Sequence, residues 1–231
     1  MTPAWRLPRS HAAELLDADS HDPHALAANL RDLRRTGALL GIGPIVWRAL
    51  RPFLHGARPT GTVLDVATGG ADLPRYLAER AAREGYALRV FASDRQQPIL
   101  ALARTNTDML RLIRHDARAV PIAAAGVDVI TCALALHHFE PPDAIALLCE
   151  LAQAARQAVI VIDLRRGWPA YAGARLLAVG PWDRMARHDG PLSVRKAYTL
   201  RETRALLAAT GMCGKAEAVF PFLTLTTLAP G

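Results

Sequence analysis

Lysine is nearly missing from this chain. Lys196 and Lys215 are the only two, so almost all of the basic charge is carried by arginine. Cysteine is scarce as well: Cys132, Cys149 and Cys213 lie far apart in apolar surroundings, and no paired spacing points to zinc or to a disulfide framework. That usage fits a reducing, cytoplasmic setting. No apolar run reaches the roughly 18 residues of a membrane span, and the opening MTPAWRLPRSHAAELLD has no signal-peptide core. No run of five or more like charges occurs, so the net charge of +7 over 231 residues reads as an arginine- and alanine-rich bias and argues against a nucleic-acid stripe. Internal repeats and low-complexity linkers are also missing.

What is present is a packed, alternating chain. Hydrophobic residues make up 51%, enough for one large domain or a domain with a small cap. Residues 11–55 read as helices, with Pro23 near a start and Leu26, Leu30 and Leu33 on one face. From TVLDVA onward strands and helices alternate. ALRVFASD, DMLRLIRHD, GVDVITCALA and QAVIVIDL read as strands, and the stretches between them carry helical spacing, with Pro98 and Pro141 at first turns. Apolar runs on both faces imply buried parallel strands in an open α/β sheet. Residues 165–197 break the rhythm. Within them Asp189-Gly190-Pro191 reads as a turn. A helix stopped by Gly211 follows, and then two strands with Pro221 at the turn between them.

Ligands in such sheets bind at the carboxyl ends of the strands. The first strand runs into Asp65-Val66-Ala67-Thr68-Gly69-Gly70-Ala71-Asp72, which is glycine-poor for a phosphate loop. Asp65 and Asp72 would repel a pyrophosphate but suit a cationic ligand with an amino group. The second strand ends in Asp94, 29 residues after Asp65, where a carboxylate takes a ribose diol. The third ends at Asp116-Ala117, suited to an adenine amine and ring nitrogen. One or two of these carboxylates could be helix caps. Three at successive strand ends point instead to S-adenosylmethionine, with Asp65 on its ammonium, directly or through water.

On these motifs the chain resembles the class I S-adenosylmethionine-dependent methyltransferases over residues 60–230. VLDVATGGADLP is similar to their first motif, FASD to the acidic second strand, HDARAVPI to the adenine-side loop and DVITCALALHHFEPPD to the fourth strand and its exit. The opening is most similar to the ubiquinone/menaquinone-type branch, with Ala67 and Ala71 standing for two glycines of the usual motif. The resemblance implies a seven-stranded, mostly parallel Rossmann-like sheet with an antiparallel last strand. It also implies a lid over the acceptor, formed by an N-terminal helical segment (1–58) and the insertion 165–197 within the domain 59–231. The cofactor-binding set is Asp65, Ala67, Thr68, Gly69, Asp72, Asp94, Arg95, Asp116, Ala117 and Ala133.

Methyl transfer needs an acceptor held in line and relieved of its proton. His137 and His138 follow the fourth strand and Asp163 ends the fifth, a pairing also carried at these positions by natural-product O-methyltransferases, so one histidine oriented by Asp163 is the candidate base. Only one of two adjacent rings is expected to face the pocket. Arg165, Trp182 and His188 are candidate substrate contacts. Trp5, Trp47, Trp168, Tyr171 and Trp182 fall in the two lid segments, which suits an apolar or planar acceptor. A phenolic or enolic hydroxyl of a polyketide or quinone-like small molecule is the leading acceptor, with no metal. An RNA methyltransferase and a non-catalytic binding scaffold remain alternatives, and the sequence is compatible with a homodimer.

Overall fold

The structure is a computed structural model that describes residues 6–18, 20–54, 60–107 and 110–230. Seven strands form one sheet in the order β3-β2-β1-β4-β5-β7-β6. They are β1 (Thr60–Val66), β2 (Ala87–Asp94), β3 (Arg111–Arg114), β4 (Val127–Ala133), β5 (Ala155–Leu164), β6 (Gly214–Val219) and β7 (Leu223–Leu228). The first five are parallel, and β7 runs antiparallel to both β5 and β6. This is the Rossmann-like methyltransferase sheet expected from the sequence.

Both faces of the sheet are covered, which is why its central strands read as continuous apolar runs. Ile130, Val159 and Val161 pack with Leu147, Leu148 and Leu151 of α5 (Pro141–Ala154) and Leu206 of α8 (Leu200–Ala209). Val129, Ile160 and Ile162 point the other way, onto Val46 and Leu50 of α2 (Ile42–Leu50) and Leu77 of α3 (Asp72–Arg83). Two-residue alternation along β4 and β5 thus fills two separate cores. The strand order reverses between β1 and β4, leaving a crevice at their carboxyl ends.

Four helices frame that crevice: α1 (Pro23–Leu39), α4 (Gln97–Asn106), α6 (Trp168–Leu177) and α7 (Arg184–Lys196). Asp22 caps α1 by accepting from the Ala25 amide at 2.8 Å, with Pro23 at the first helical position. The turn expected at Asp189-Gly190-Pro191 does not exist, because α7 runs straight through it. Asp189 is buried and accepts from the amides of Leu15 and Leu16 at 2.9 and 3.0 Å, so its carboxylate is committed to a distant part of the chain. Trp5, the last residue of the helical reading 11–55 and the first two residues of the strand read at 108–116 lie outside the described residues.

Candidate functional site

A cavity of about 1160 Å³ opens at the crevice. Its floor is the loop after β1, Asp94–Gln96, His115–Arg118 and Ala133–Glu140; its roof is α1, the start of α2, α6 and α7. The roof is bound to itself across the chain. The Asp183 amide donates to Asp32 at 2.6 Å, and Asp189 holds residues 15 and 16.

At the β1 exit the backbone turns through three left-handed residues, Ala67 (φ 56°), Gly69 (φ 55°) and Ala71 (φ 59°). A left-handed alanine costs on the order of 1–2 kcal/mol, so the two alanines occupy conformations that glycine adopts freely. Gly69 has open space where a Cβ would stand, and its amide donates to Asp94 at 3.0 Å. The other Asp94 oxygen accepts from the Gln96 amide at 3.0 Å. Each carboxylate oxygen accepts two hydrogen bonds, so both keep capacity for a ligand. Burial raises the pKa values of Asp94 and Asp72. Thr68 Oγ1 and Asp72 Oδ1, on the cavity wall, are buried with no hydrogen-bond partner among the described residues.

The remaining strand-end candidates divide. Ala117, Ala133 and Arg95 line the cavity, as does Asp116. Arg118 grips both Asp116 oxygens, at 2.9 and 3.1 Å, and lowers its pKa to about 2. Asp65 stands behind the wall. It is 2% exposed, its Oδ1 accepts from Thr131 at 2.5 Å, and burial pushes its pKa up to about 6. Any contact between Asp65 and a ligand amine therefore passes through another group.

At the β4 and β5 exits a 3-10 turn (Leu136–His138) sets two rings side by side, with centroids 4.4 Å apart. Both histidines line the cavity, against the expectation of one. Asp163 takes the His137 amide at 2.7 Å through one oxygen and the ring Nδ1 at 2.7 Å through the other. Burial disfavours the His137 imidazolium, but Asp163 and then Glu14 overcome it, and the net shift of its pKa is upward.

Glu14, Asp17 and Lys196 complete this end and were missed. Glu14 is buried, with Oε1 3.6 Å from His137 Nε2 and 3.5 Å from Lys196 Nζ. Asp17 lies 3.0 Å from His138 Nδ1 and 3.4 Å from Lys196 Nζ. Burial opposes the Asp17 charge, yet the His138 ring and the Lys196 ammonium hold its pKa far below the carboxylate range. Ligand-type atoms of Glu14, His137 and His138 lie within 4.8 Å of one another, as a metal site requires. The Lys196 ammonium beside Glu14 already supplies a positive charge there, and a dication would be repelled by it.

Of the substrate candidates, Trp182 lines the cavity. His188 is exposed and paired with Asp189 at 2.7 Å, and neither it nor Arg165 reaches the wall. The tryptophan pattern also divides: Trp47 is core and donates to Glu84 at 3.1 Å, whereas Trp168 is half exposed.

Residues 63–158 match the family model described as a methyltransferase domain. No curated protein matches the chain by sequence. Among solved structures, an S-adenosylmethionine-dependent methyltransferase from Aquifex aeolicus is similar at 20% identity and a TM-score of 0.62, over 92% of this chain and 100% of that one. A magnesium protoporphyrin IX methyltransferase from Synechocystis PCC 6803, with bound SAH, is similar at 16% identity and 0.58, over 85% of each chain. The plantazolicin methyltransferase BamL, in complex with a triazolic desmethyl analogue and SAH, is similar at 16% identity and 0.68, over 91% of each.

Proposed function

We propose that this chain, whose residues 63–158 match a methyltransferase domain, uses S-adenosylmethionine to methylate a phenolic or enolic hydroxyl of a polyketide or quinone-like small molecule, with His137 as base. The cavity wall suits the methyl donor. Asp94 has spare acceptor capacity for a diol, and Asp72, 3.7 Å from Arg75 and facing the cavity, suits a ligand bearing an ammonium group. When bound, that donor supplies a sulfonium methyl. The work left to the protein is to exclude water, hold the acceptor in line and take its proton.

One observation carries the assignment of the base: Asp163 fixes the His137 amide and ring nitrogen together, each at 2.7 Å. With Nδ1–H donated to Asp163, the free lone pair lies on Nε2, the nitrogen toward Glu14. Nε2 would take the acceptor hydroxyl proton as the bound donor supplied its methyl group, and the resulting imidazolium would sit between the Asp163 and Glu14 carboxylates. A volume of about 1160 Å³ exceeds the roughly 300–1,000 Å³ of common ligand pockets, which supports a two-substrate site.

The test is His137→Ala. Turnover is expected to fall by about 10²- to 10⁴-fold while affinity for S-adenosylhomocysteine, read by calorimetry, stays within a few-fold. The wild-type rate should fall at acid pH with a midpoint above the ordinary histidine value of 6.5, because the base must be neutral and its pKa is raised. An alanine variant with near-wild-type turnover and an unaltered pH profile would leave proximity alone as the mechanism.

A further inference from the structure

Every large apolar side chain exposed among the described residues lines the cavity or lies within two positions of a residue that does. Leu33, Leu39 and Leu177 are exposed and line it. Leu176 (76% exposed) and Val179 (81%) flank its lining residues Leu177 and Ala178, and Phe220 (87%) precedes Pro221. Leu15 and Trp168 stand within two positions of the wall too. Leu176, Leu177 and Val179 concentrate this exposure at the end of α6, beside the cavity wall. Scattered single hydrophobics are ordinary, but a concentration of this kind marks an interaction surface.

The two roof segments carry an excess of positive charge, while the acidic lining residues Glu140 and Asp143 belong to the other wall. Residues 31–39 carry three arginines and one aspartate, and residues 168–188 carry the same. Both aspartates are engaged: Asp32 is buried and holds the Asp183 amide, and Asp183 caps α7 by accepting from Met185 at 2.8 Å. Arg31, Arg175, Arg184 and Arg187 are exposed around them, and Arg35 is exposed but paired with Asp32 at 3.0 Å. Arg187 lies against the apolar rim itself, donating to the Ala178 carbonyl at 3.0 Å.

We propose that the cavity mouth docks on an anionic lipid bilayer, with the leucines and Phe220 entering the acyl boundary and the arginines contacting lipid phosphates. A second copy of the chain fits less well, because a two-fold contact would set one arginine-rich patch against another. It would also close the cavity that the acceptor must enter. A bilayer satisfies the apolar and the basic side chains at once and leaves the mouth in contact with a phase from which an apolar acceptor can pass. That route rests on the methyl-transfer reading; the docking itself does not.

The experiment is sedimentation of the full chain with vesicles of phosphatidylcholine alone and of phosphatidylcholine mixed with phosphatidylglycerol, for the wild type, Arg175→Glu and the double variant Leu176→Glu, Val179→Glu. None of these residues lines the cavity, and calorimetry with S-adenosylhomocysteine verifies that each variant remains folded. Wild-type binding to the anionic vesicles only, falling with salt and by about tenfold or more in the variants, is the expected result. Failure to sediment with anionic vesicles, equal binding to neutral ones, or binding unaltered in the variants overturns the proposal. So does a concentration-dependent dimer that the double variant abolishes. Vesicle binding without turnover on any acceptor would instead count against the methyl-transfer reading.

Discussion

Asp65, next to last in β1, has 2% of its surface exposed and a pKa pushed by burial from 3.8 up to about 6. The folded value lies above the unfolded one, so folding favours the protonated acid. Its contribution to stability is complete below about pH 3.8 and is lost as pH rises through about 6. At about 1.4 kcal/mol per tenfold change in proton affinity, the buried charge costs roughly 3 kcal/mol at neutral pH. Asp65→Asn keeps an oxygen for Thr131 and carries no charge. Urea unfolding is therefore expected to find the variant more stable than the wild type at pH 8, with the difference vanishing toward pH 4. Equal stability at pH 8 would mean that the site tolerates the charge. Strand-end carboxylates such as Asp65 and Asp94 were legible in the sequence because each terminates an apolar run. Glu14 and Lys196 were not, because nothing in their neighbours separates them from exposed charges; only the distant residues that surround them bury them.

Among the elements, the sheet was read nearly strand for strand, since two-residue alternation and turn residues are local signals. The insertion was the element misread. Asp-Gly-Pro is a turn signal when the chain is judged locally, yet α7 absorbs Gly190 and Pro191. Its packing explains why: α7 lies against α1, α6 and the segment at 15–17, and buries Asp189, Pro191 and Val194. Tertiary contacts here outweigh propensity. Asp189 accepts two backbone amides from that segment, and its loss leaves both without a partner. Asp189→Ala is expected to lower the free energy of unfolding by at least about 2 kcal/mol and to accelerate hydrogen exchange at the amides of Leu15 and Leu16. Exchange unchanged at those two amides would show that water or a neighbouring group replaces the carboxylate without loss.

At the scale of the whole molecule, the candidate base is assembled from three distant stretches. His137 leaves the sheet after β4, Glu14 belongs to the N-terminal segment and Lys196 ends α7. Arg9 fastens the first of these outer stretches across the other two, donating to the Lys196 carbonyl at 2.8 Å and pairing with Glu140 at 2.7 Å. Two charges of opposite sign thereby bear on one imidazole: Glu14 raises the His137 pKa and Lys196 lowers it. Neutralising them one at a time should move the acid limb of the rate profile in opposite directions. In Glu14→Gln the imidazolium loses a stabilising carboxylate, so the midpoint falls and activity persists to lower pH. In Lys196→Met it loses a repelling ammonium, so the midpoint rises and activity is lost at higher pH. Charges about 4 Å apart interact by roughly 1–4 kcal/mol between water-like and surface-like dielectric, so each displacement should be readable as a change in the pH of half-maximal rate. Steady-state rates across pH, with S-adenosylhomocysteine affinity as the control for folding, separate the two accounts. Opposite displacements identify His137 as the titrating base within a network built by the whole chain. Midpoints that stay fixed while thermal stability drops would identify the same network as a structural tie.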